Sequence, residues 1–186
     1  MDTISYTKKY FKGLSKAKLN RWIFKNRKEL ATAALFTATN KGIGKLIKHF
    51  TKKNAIENDF IPCHVGNIIA IGEEIWVMNI IPPKAEITLL SDYIFNSNFD
   101  YEIVTFNGIN KDLYFSDSLK HNNKKYGYAS ALQCAFKALQ WLPNRKQHCS
   151  EYFIRCLQKQ GYFKDVKADN VSPVQAYNLL MYNRLK

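Results

Sequence analysis

Apolar positions along this chain recur with two periods, and the switches between them mark out the elements. From Ser15, a suitable N-cap, Leu19, Trp22, Ile23 and Leu30 fall at helical spacing among lysines and arginines, predicting a basic amphipathic helix. "AALFTA" (33–38) is a short apolar run of strand length, and Ile43, Leu46, Ile47 and Phe50 then share one helical face. "HVGNIIAI" (64–71) and "EIWVMNII" (74–81) alternate as two strands joined across Gly72-Glu73, and Pro82-Pro83 closes them. A short strand near Ile87, a turn of helix at "LLSDYIF" and a strand at 101–106 follow. Residues 119–130 are polar and loop-like. Helices are expected over 130–142, from Cys149 to about Gly161, and from the Ser172-Pro173 cap to about Met181. Residues 1–13 show no clear period and are taken as an arm. Strands in the middle with helices on both sides predict an α+β domain around a central antiparallel sheet of about five strands, with the Cys149 helix C-terminal to the sheet.

Charge changes the picture at one end only. Residues 1–53 hold 14 Lys/Arg against 2 acidic residues, most of the chain's net +13. Such a segment favours a polyanion or an acidic protein surface as partner. Its plainer role is a solvated face whose apolar stripe docks on the body; stacking of bases on Trp22 has no accompanying nucleic-acid motif. At 186 residues, 46% apolar and 14% aromatic, the chain is long enough to bury a core. The first thirty residues are too charged for a secretory signal, and no apolar run reaches the length of a membrane span. The chain is therefore expected to stay in the cytoplasm where it is made, with incorporation into a virion as a further destination.

Four cysteines, Cys63, Cys134, Cys149 and Cys156, lack the spacing of a disulfide framework. Cys134 and Cys156 occupy apolar mid-helix positions and are expected in the core. Cys149 opens a helix, with Arg145, Lys146 and His148 just upstream, a setting expected to favour thiolate. It also lies on the apolar stripe of Tyr152, Phe153 and Cys156, so it could equally seat the helix. Among the histidines, His148 adjoins Cys149 and points elsewhere, His121 is in a loop and His49 sits among lysines. His64 opens a strand that can hold an imidazole rigidly. If Ile71 pairs with Glu74, Asn79 faces Gly66 and becomes a diagonal neighbour of His64, within reach to orient it. A Cys149–His64–Asn79 site is one reading. A zinc site from Cys63-His64 and His148-Cys149 lacks the usual ligand spacing, and no metal or cofactor is expected.

These pieces resemble the circularly permuted, NlpC-like members of the papain-like fold, in which the histidine strand precedes the cysteine helix. "ALFTATNKGIGKLIKHFTKK", "PCHVGNIIAIGEEIWVMNIIPP", "ITLLSDYI", "YGYASAL" and "HCSEYFIRCL" resemble that family's successive segments in order, over about residues 33–181. The resemblance implies a domain of residues 33–186, with residues 1–32 appended as a basic arm and helix. It implies Cys149 as nucleophile, His64 as general base and a third polar residue at or near Asn79, where many permuted members carry glutamate. Gly66 belongs to the "HVG" start, and Tyr126 or Tyr128 would border the substrate cleft. The activity implied is a cysteine peptidase or amidase acting on cell-wall peptide, or a lipid acyl hydrolase. The alternative is a structural or interaction protein of a larger assembly, such as a phage virion, docked through the basic segment.

Overall fold

The structure, a computed structural model, describes residues 2–56, 60–80, 85–120, 125–127, 131, 133 and 147–183. Six strands form one sheet: β1 (Thr3–Thr7), β2 (Thr32–Ala38), β3 (His64–Ile71), β4 (Glu74–Ile80), β5 (Ala85–Leu89) and β6 (Asp100–Phe106). Their spatial order is β1-β6-β2-β3-β4-β5, and every neighbouring pair is antiparallel. The expected α+β class holds, with six strands rather than about five. The extra strand is β1, from the segment taken as an arm. It lies at the sheet's edge with Ile4 54% exposed, so only one of its faces is covered and its apolar alternation is faint.

All seven residues of β2 are buried, because helices cover both faces of the sheet. On one face Ala33, Leu35, Ile68, Val77 and Ile103 meet the N-terminal helices α1 (Lys8–Phe11), α2 (Lys16–Lys25) and α3 (Arg27–Leu30), and α5 (Leu90–Phe95). The basic helix docks there through Leu19, Ile23 and Leu30, and breaks at Asn26, whose side-chain amide donates to the Trp22 carbonyl at 2.8 Å. On the other face Ala34, Phe36, Val65, Ile69, Met78 and Val104 carry α7 (Cys149–Lys159) and α8 (Pro173–Tyr182). Phe36 receives the edges of Phe153 and Tyr177, at 5.9 and 5.2 Å between ring centres. Helix α4 (Gly42–Thr51) leaves the end of β2.

Helix α6 (Lys111–Leu119) had no counterpart in the sequence pattern. Its inner face buries Tyr114, Asp117 and Ser118 rather than an aliphatic stripe. Asp117 takes Lys120 and Lys159 at 2.6 and 2.9 Å, and the Tyr152 hydroxyl donates to its carbonyl, so α6 fixes the path of α7 over the sheet. No helix among the described residues is long and apolar enough to cross a membrane.

Candidate active site

The β3–β4 hairpin turns at Gly72, whose φ of +62° suits glycine, and Ile71 pairs with Glu74. Continuing that register places Asn79 opposite Gly66 and diagonal to His64. The diagonal closes as a hydrogen bond: His64 Nε2 lies 3.1 Å from Asn79 Oδ1. With the carboxamide oxygen facing the ring, Nε2 carries the proton and donates, and Nδ1 keeps its lone pair. Gly66 makes this possible. A Cβ there would stand 2.5 Å from Asn79 Oδ1 and 2.9 Å from Val77 Cγ1, in the space the carboxamide fills. Asn79 is fully buried, and its Nδ2 has no hydrogen-bond partner among the described residues.

His64 is the first residue of β3 and sits half-buried at the rim of the sheet. Directly across on β2 is Thr37, whose side chain acts on the Tyr93 phenol from α5. Directly across from Asn79, on β5, is Glu86, exposed. Thr37, His64, Asn79 and Glu86 thus form a polar row across four strands, with the Tyr93 phenol acting on its β2 end. Burial pushes the Tyr93 phenol up; Thr37 opposes this, and the charges of Cys63, Glu86 and Cys149 add to it.

Cys149 lies near the same end of β3 but on the opposite layer, and no hydrogen bond or ion pair joins it to His64 among the described residues. It is the first residue of α7, which packs on β3, and it belongs to the core on that face beside Cys63 and Val65. The helix start is fixed from behind. Ser150 Oγ donates to the Val171 carbonyl at 2.7 Å, and His148 Nε2 lies 3.1 Å from the same oxygen. His148 Nδ1 faces Glu151 Oε2 at 3.4 Å, so this histidine is engaged away from Cys149. His49 is exposed on α4, its ring against Phe50. Cys156 is core, with Asn67 Nδ2 3.6 Å from its sulfur. Tyr126 is 4% exposed and packs in the α7 core. Tyr128, Cys134, His121, Arg145 and Lys146 lie outside the described residues.

Electrostatically the site differs from the expectation of a thiolate. Burial pushes the Cys149 thiol up to about 11. The Val65 N–H and the N–H groups of Cys149 and Ser150 pull it down, while Cys63 adds to the rise. Desolvation of the buried sulfur outweighs the helix terminus. Burial likewise pushes the His64 imidazole down to about 4, against the raising effect of Asn79. At neutral pH Cys149 is therefore a thiol and His64 a neutral imidazole, each set by its own burial.

Sequence reasoning missed Thr37, Tyr93 and Glu86. Their only signal was position: Thr37 is the fifth residue of "AALFTA" and Tyr93 sits in "LLSDYIF", and only the order of strands in the sheet puts Thr37 across from His64. The sequence matches no known protein-family model and no curated protein.

Proposed function

We propose that this chain is a cysteine hydrolase of the circularly permuted, NlpC-like branch of the papain-like fold. Cys149 is the nucleophile, His64 the general base and Asn79 the residue that holds the imidazole. The observation that carries the reading is the 3.1 Å His64–Asn79 bond at the rim where the Val65 N–H acts on the Cys149 sulfur. Asn79 selects the tautomer that leaves Nδ1 basic, and α7 presents the thiol. His64 takes the thiol proton as sulfur adds to an amide or ester carbonyl, and the Cys149 N–H stabilises the oxyanion. The proton then passes from His64 to the leaving amine or alcohol, and water, deprotonated by His64, releases the acid and restores the thiol.

A peptide of the bacterial cell wall or a related amide is the proposed substrate. The test is hydrolysis of purified cell-wall peptides by the full chain and by Cys149→Ala, read by mass spectrometry. New amine and carboxyl termini formed by the parent and absent with the variant support the reading. Full activity in Cys149→Ala overturns it.

A second reading is favoured by the neutral thiol and imidazole, which a non-catalytic relative would also show. In it the fold is a component of a larger assembly, such as a phage particle, and the basic face of residues 1–53 grips an acidic surface. Light scattering during size exclusion separates the two. Assembly that dissolves as salt rises supports this reading, and a salt-independent monomer opposes it.

A further inference from the structure

One charged feature borders the Cys149 rim and has no part in the chemistry above. Helix α4 presses on the site at Gly44, where a Cβ would stand 3.0 Å from Cys63 Sγ and collide with Thr39 Cγ2. The Thr39 N–H donates to the same sulfur at 3.3 Å. Cys63 precedes His64 and acts electrostatically on Cys149. On the helix surface Lys48, four residues after Gly44, is its neighbour. Lys41 is the N-cap of α4 and its carbonyl accepts from the Lys45 N–H at 3.2 Å, so the three lysines run along the first turns of the helix, with Lys48 the one that acts on Cys63. Lys48 is close enough for its charge to oppose the rise of the Cys63 thiol. Lys41 and Lys45 are exposed, and Lys48 donates to Asn40 Oδ1 at 3.1 Å. Residues 30–56 contain no acidic side chain, and none of the three lysines pairs with a carboxylate among the described residues.

We infer that Lys41, Lys45 and Lys48 are the anion-binding wall of the Cys149 site, and that the substrate carries a carboxylate or phosphate close to its scissile bond. The inference rests on Cys149 being the nucleophile. Three positive charges held beside a low-dielectric rim raise the local concentration of an anion there, and they do so without touching the reacting atoms.

The experiment alkylates the full chain with iodoacetate, an anion, and iodoacetamide, its neutral counterpart, and follows Cys149 by mass spectrometry at neutral pH. The iodoacetate-to-iodoacetamide rate ratio at Cys149 should exceed that of free cysteine. In the Lys41→Gln, Lys45→Gln, Lys48→Gln triple variant that ratio should fall by about 3- to 10-fold, as should the parent's at high salt. The iodoacetamide rate should stay unchanged in the variant, which shows that its fold and dyad are intact. An unchanged ratio with a preserved iodoacetamide rate overturns the inference while leaving the nucleophile in place. A Cys149 that neither reagent modifies faster than Cys63 overturns the hydrolase reading, and the inference with it. A hydrolytic readout follows the same logic: a peptide amide with glutamate beside the scissile bond should show a lower KM than its glutamine twin. The triple variant should abolish that difference and spare kcat.

Discussion

Replacing Gly66 by alanine should disable the site without touching a reacting group. The Gly66 φ is not positive, so alanine fits the backbone and the effect comes from contacts alone. The new methyl would lie 2.5 Å from Asn79 Oδ1, 2.9 Å from Val77 Cγ1 and 3.1 Å from the Met78 carbonyl. The carboxamide must move, and the 3.1 Å bond to His64 is lost. Crowding of this kind costs about 1–3 kcal/mol. A buried polar group stripped of its partner costs about 1–3 kcal/mol more. Together Gly66→Ala should lose roughly 2–6 kcal/mol, a large part of the stability of a domain this size. Asn79→Ala alone leaves the His64 Nε2–H without an acceptor and should cost about 1–3 kcal/mol. In the double variant the methyl enters space the carboxamide has vacated, so the two losses should fall short of their sum by at least about 1 kcal/mol. Urea unfolding at constant m measures the cycle. Iodoacetamide labelling of Cys149 should remain slow in all three variants, because none restores the His64 bond. Strict additivity, or a Gly66→Ala protein as stable and reactive as the parent, would refute the packing argument.

Three further outcomes follow from the same geometry. Labelling of Cys149 should stay level from about pH 5 to about 9, fall in acid as His64 takes a proton near 4, and rise again only as the thiol ionises towards 11; a fall centred between pH 6 and 7 would show an ordinary imidazole. Stability should carry the same signature. The unfolded chain binds a proton at His64 below about 6.5 that the folded chain refuses until about 4, so stability drops as pH falls through that window; the folded chain keeps the Cys149 proton from about 9 to 11, so it drops again as pH rises there. His64→Gln should lessen the acid loss and Cys149→Ala the alkaline one in urea titrations. Tyr93→Phe removes the hydroxyl that acts on Thr37, across from His64; it should slow Cys149 labelling, and an unaltered labelling rate would separate Tyr93 from the site.

How far the sequence speaks depends on whether a feature is local. The β3–β4 register was legible because Gly72-Glu73 allows a two-residue turn and the apolar alternation runs unbroken on either side, and Asn79 followed from it as a diagonal of His64. Helix α7 was legible from its stripe, and α8 from Ser172-Pro173, whose side chain and Gln175 form a reciprocal cap. Strand β1 escaped because an edge strand needs to cover only one face, and α6 because it buries Asp117 and Ser118 where the pattern calls for aliphatics. The sign of the Cys149 shift escaped for a different reason. The helix start and the upstream cations are visible in the chain, but the depth at which β3 and α7 bury the sulfur is a property of the assembled layers. The approach of Tyr93 to Thr37 likewise exists only once β2, β3 and α5 are placed side by side.

The central claim is that His64 activates Cys149, and the most direct measurement is site-resolved labelling of the full chain and of His64→Ala with a neutral thiol probe at pH 7, read by mass spectrometry. The account predicts that Cys149 reacts ahead of Cys63, Cys134 and Cys156, and that His64→Ala slows Cys149 alone. Equal labelling of all four cysteines, or a Cys149 rate that does not change when His64 is removed, would contradict it.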